Sequence, residues 1–151
     1  MGDLLQPWHI MVLLIIASFF VFPAVLYILT LSSTLNKCSP TSRTLEPGML
    51  WLLLVPFLNL VWNFFVVLGM AKSLSNEFGL RNTPVSDPTP GQSIGIAMSI
   101  CGACSIIPIL GIAAWLAQLV LWGVYWANVA EFSRLLDQVP MANAMRDPGI
   151  R

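Results

Sequence analysis

Charge is scarce in this chain of 151 residues: aspartate, glutamate, lysine and arginine together make up 9%, and seven bases cancel seven acids. A water-soluble globule of that size needs more polar surface to coat itself. No basic patch or stripe stands out, which argues against a nucleic-acid partner. Histidine occurs once, at His9, and cysteine three times. The lone histidine lies at the opposite face from the cysteines, so neither a metal nor a cofactor is expected. A nucleophile–base pair, a phosphate-cradling loop and a carboxylate dyad are all missing. Asp3, Glu46, Glu77, Asp87, Asp137 and Asp147 fall in stretches that read as loops or tails, where solvation accounts for them. The opening residues MGDLLQPWH carry no lysine or arginine, and no small-x-small cleavage pattern follows, so a removable signal is not expected. Gln6 stands where a myristoylation signal wants Ser or Thr, so no lipid anchor is expected either.

What the chain has instead is apolar sequence, 57% of its residues. The organising stretch is Pro47–Leu74, whose uncharged core Met49–Ala71 would reach about 34 Å as a helix and match a hydrocarbon layer of about 30 Å. The other long runs repeat that logic. The expected fold is an all-α membrane protein of four transmembrane helices, over about 9–31, 49–71, 90–107 and 111–134, arranged as two hairpins in one domain. Pro23 removes a helical hydrogen bond inside the first span, where a kink is expected. Residues 32–48, with Lys37, Arg43 and Glu46, form an exterior loop, and 72–89, with Pro84 and Pro88 near its end, a cytoplasmic one. Thr89-Pro90 suits a helix start, and Pro108–Gly111 a tight turn between the last two spans. Residues 137–151 form a flexible tail. Lys72, Arg81, Arg134, Arg146 and Arg151 outweigh Lys37 and Arg43, which places both termini in the cytoplasm.

Two asparagines interrupt the second span. Asn59 and Asn63 are four apart on one face, and an amide in hydrocarbon needs protein partners; Gln118, Tyr125 and Asn128, sharing a face of the fourth span, are the candidates. This face serves as glue between helices or as a polar path. Gly91, Gly95, Ser99 and Ala103 recur every four residues in the third span, with Ser93, Ala97, Cys101 and Ser105 as a second row, so close backbone approach is expected there. Cys101-Gly-Ala-Cys104 is a CxxC near the exterior turn, and Cys38 lies in the other exterior loop. In outline this resembles the four-span membrane enzymes that handle disulfides and pass electrons to quinone, although such relays need a second cysteine pair. The same cysteines also suit tight packing. Glu131 is expected in an exposed ion pair with Arg134 or near Lys72. Trp8, Trp51, Trp115 and Trp126 fit interfacial belts, while Trp62 and Trp122 lie deeper.

The run EPGMLWLLLVPFLNLVWNFFVVLGMAKSLSNEF, followed by a Pro-rich loop, a Gly-rich span, IIPILG and a Trp/Tyr-rich last span, resembles a family of uncharacterised bacterial four-span membrane proteins over Lys37–Leu136. The resemblance implies a bacterial inner-membrane protein and carries over no catalytic residue. The expected role is a non-enzymatic accessory or assembly subunit that meets the bilayer and another membrane protein or itself. The alternatives are a homo-oligomeric pore or small-solute transporter lined by the amide face, and a thiol oxidoreductase using Cys101 and Cys104.

Overall fold

The computed structural model describes residues 6–139, which are mostly helical, with no strand among them. Helix α1 spans Pro7–Lys37, a short 3-10 helix Pro47–Leu54, α2 Pro56–Leu80, α3 Gln92–Cys104 and α4 Gly111–Gln138. Three of them (α1, α2 from Phe57, and α4) are long and apolar enough to cross a membrane. At 13 residues α3 reaches about 20 Å, and the eight-residue short helix about 16 Å. Neither can cross alone.

The first and last long helices form where their composition predicts. Proline at the first helical position and unbroken apolar sequence make α1, which runs on through Pro23 to the polar residues at its end. The second span differs. The expected helix over 49–71 is split, because Pro56 brings no N–H and bars the residue before it from the helical region. Val55 is accordingly extended, with φ −83° and ψ 111°. The chain reverses there: Thr44 Oγ1 donates to the Gly69 carbonyl at 2.9 Å, and Trp62 Nε1 donates to the Met49 carbonyl at 2.9 Å, so the short helix lies antiparallel on α2.

α3 then packs antiparallel against both α2 and α4. Asn63 Nδ2 donates to Ser99 Oγ at 3.0 Å. A Cβ on Gly95 would collide with Val67 and come within 2.8 Å of the Tyr125 ring, which is why glycine stands at this crossing. Gly91 is not inside the helix, as the four-residue row implied, but is its left-handed cap with φ 73°. Gly95 and Ser99 are buried, while Ala103 faces out.

Because Tyr27 stacks edge-on against Trp122, Trp126 Nε1 donates to Thr30 Oγ1 and Lys37 Nζ donates to Ser133 and Asp137, α1 and α4 run parallel. Pro7 and Gln138 therefore lie at opposite ends of the bundle. In that register Gly111 faces residue 15 or 16 of α1, leaving α1 to extend about 12 Å beyond the start of α4. The core (Ile28, Leu31, Leu35, Leu50, Val66, Val67, Met70, Met98, Tyr125, Val129) fills the half of the bundle nearer Gln138.

Residues 32–48 and 72–89 were assigned to opposite sides of the bilayer, yet the Ser39 backbone N–H donates to Glu77 and Arg81 donates to the Lys37 carbonyl. The reversal at Val55–Pro56 returns the chain to the end it came from. All ten charged side chains among the described residues, from Lys37 to Asp137, gather at that end. The Val55–Pro56 and Ser105–Leu110 reversals at the other end are uncharged, and Ile106, Ile107, Ile109 and Ile112 project from the second. The tail from 140 onward, including Arg146 and Arg151, lies outside the described residues.

Candidate functional site

At the charged end the helices are tied by a buried ion pair. Glu77 is fully buried and Arg81 nearly so; Glu77 Oε1 accepts from Arg81 Nε at 2.9 Å, and its Oε2 accepts from the Ser39 N–H at 2.8 Å and the Ser39 hydroxyl at 2.7 Å. The rest of the guanidinium donates to the carbonyls of Lys37, Leu136 and Val139. Every partner is thus a chain segment, and the cluster is a clasp between the ends of α1, α2 and α4. Sequence reasoning took both residues for solvated loop charges. Their i, i+4 spacing, with the acid first, on a helix running past Ala71 was the signal. Beside them Cys38 is buried, and desolvation, then the Glu77 carboxylate, push its thiol up to about 11.

The opposite half holds a cavity of about 990 Å³ between α1 and the other helices. Its rim is the exposed apolar side of α1, with Ile15, Phe19 and Phe22, together with Trp115 and Leu119 of α4. Tyr27 and Met98 line it toward the core. Its polar lining consists of Ser18, Asn59, Asn63, Gln118 and the ring-bearing Tyr27. The structure therefore brings together Asn59, Asn63 and Gln118 from the predicted amide face. Tyr125 sits in the core against Gly95, and Asn128 is half-buried on α4 away from the cavity.

Within this group Asn63 is held by Ser99. Gln118 lies over Gly102, where a Cβ would stand 3.0 Å from its Nε2. The Asn59 and Gln118 amides have no hydrogen-bond partner among the described residues. The Tyr27 hydroxyl is buried and also without one among the described residues. Neither Tyr27 nor Ser18 stands out in the sequence; a tyrosine four residues past Pro23, on the same side of the helix, was the available cue.

No family model, curated protein or solved structure matches the chain.

Cys38 does not lie beside the CxxC. Ser39 meets Glu77 while Ser99 meets Asn63, fourteen residues away along α2, so Cys38 and Cys101 are about 21 Å apart along the bundle. Cys38, Cys101 and Cys104 are free thiols. The co-location on which a relay rested is absent because the short helix and α2 return the chain. Glu131 is exposed and forms no ion pair among the described residues; Lys37 takes Asp137 instead, at 2.6 Å. No group of three potential metal ligands occurs among the described residues.

Proposed function

We propose that this chain is a non-enzymatic integral membrane protein of the bacterial cytoplasmic membrane, an accessory or assembly subunit whose charged end faces the cytoplasm. The observation that carries the reading is the one-sided charge: Lys37, Arg43, Lys72, Arg81 and Arg134 share one end, and no lysine or arginine of the described residues is at the other. Such asymmetry orients a membrane protein with its basic end inside. In this placement α1 crosses the bilayer with its N-terminus outside, while the short helix with α2, and α3 with α4, form two units entered from the cytoplasmic side. The non-enzymatic reading is supported by how the reactive groups are used, since Glu77, Arg81 and Lys37 are all spent on ties between segments.

A second reading, a pore or carrier, draws on the amides around the cavity. It has less support, since the packed layer of Val67, Gly95 and Tyr125 lies between the cavity and the charged end. Native mass spectrometry of the protein purified in mild detergent separates the two. A fixed complex with another membrane protein is the expected result. A monomer under all conditions refutes the subunit role, and a closed homo-oligomer moves the weight to the pore.

A further inference from the structure

We infer that the cavity between α1 and α4 is a binding site for a small, uncharged, membrane-soluble molecule: a flat ring bearing carbonyl oxygens, with an apolar tail. The depth of the amides comes first. In the α1–α4 register Gln118 faces residue 22 or 23 of α1, about 21 Å from Trp8, and it is fifteen residues, or about 22 Å, from Ser133. The amides thus sit near the middle of the bundle, remote from either headgroup layer. A phospholipid head does not belong at that depth, and no charged side chain lines the cavity to receive an ion.

The chemistry of the walls comes second. Asn59 and Gln118 present amide N–H₂ groups without acceptors among the described residues, in a site otherwise lined by apolar side chains. Both amides are half-buried and offer N–H₂ donors as well as carbonyls; the N–H₂ groups are met by an occupant that carries acceptors. Phe19, Phe22, Trp115 and Trp122 supply flat aromatic faces on which a planar ring stacks. The volume suits a molecule of drug size, and the rim of exposed α1 residues gives it entry from the hydrocarbon. The site lies outside the clasp and does not depend on the accessory role; it rests only on the membrane placement, which accessibility labelling tests separately.

The experiment compares two probes on the intact protein in lipid nanodiscs by native mass spectrometry: p-benzoquinone carrying a decyl chain, and decylbenzene, which has the same shape without the oxygens. The expected result is one quinone probe per chain, bound at least about tenfold tighter than decylbenzene, the scale of one or two well-placed hydrogen bonds. Asn59→Leu and Gln118→Leu should each weaken quinone binding about tenfold, while Asn128→Leu, away from the cavity, leaves it unchanged. Equal retention of the two probes by the unmodified chain overturns the inference, as does binding that survives both amide substitutions. Should an amide variant fail to fold, the probe comparison on the unmodified chain decides alone.

Discussion

Glu77→Gln keeps the shape of the side chain and removes its charge, leaving the Arg81 guanidinium buried beside a neutral amide. Glu77 is 0% exposed and Arg81 8%. Breaking a buried pair by removing one partner costs about 3–5 kcal/mol, because the remaining charge is uncompensated. Arg81 keeps carbonyl acceptors on Lys37, Leu136 and Val139, which brings the expected loss to the lower end, about 3 kcal/mol. The Lys37–Asp137 pair supplies the control. Its side chains are 30% and 58% exposed, so Asp137→Asn should cost below about 1 kcal/mol. The assay is unfolding in mixed micelles titrated with a denaturing detergent and followed by tryptophan fluorescence. A Glu77→Leu/Arg81→Met double variant abolishes the stranded charge but leaves the Ser39 N–H and the Lys37, Leu136 and Val139 carbonyls without these partners, so it should recover only part of the loss. Equal small losses for Glu77→Gln and Asp137→Asn would refute the view that this pair is a buried clasp.

Two further predictions follow from packing and burial. Gly95→Ala forces a methyl against Val67 and Tyr125 and should destabilise by about 1–3 kcal/mol in the same titration, whereas Gly79→Ala, where a Cβ meets nothing within 4 Å, should not. Cys38 reacts as thiolate, and with its thiol raised to about 11 it should stay protonated at neutral pH; maleimide labelling of the folded protein should be slow at pH 7 and accelerate only as pH climbs toward 11. Labelling as fast as in denatured protein at pH 7 would contradict its burial.

The helical class and the first and last long helices were legible because each is set by its own composition: a long uncharged run satisfies its backbone alone. The second span was misread at one residue. Proline is tolerated inside membrane helices, as Pro23 is within α1, so Pro56 alone does not announce a reversal. What decides it is that Thr44 and Met49 find hydrogen-bond partners on α2, a contact between stretches that sequence periodicity treats as one helix. The misplacement of Lys37, Arg43 and Cys38 followed from that single turn. Asn59, Asn63 and Gln118 were readable as residues needing company, since an amide in an apolar run draws attention by chemistry alone. Which of them would be satisfied was not readable, because the Ser99 hydroxyl that holds Asn63 depends on how α3 crosses α2. Glu77 and Arg81 looked like surface charges because their burial is made by Ser39, Leu136 and Val139, distant in sequence.

The central claim, that the loops after α1 and after α2 emerge on one side, is tested most directly by membrane-impermeant maleimide labelling of single cysteines in a background lacking Cys38, Cys101 and Cys104. Thr41 and Ser86 are exposed, one in each loop, and Gln6 is exposed at the far end of α1. The account predicts that Thr41→Cys and Ser86→Cys are both labelled only from the cytoplasmic face, and Gln6→Cys only from outside. Labelling of Thr41→Cys and Ser86→Cys from opposite faces would contradict it and restore four separate crossings.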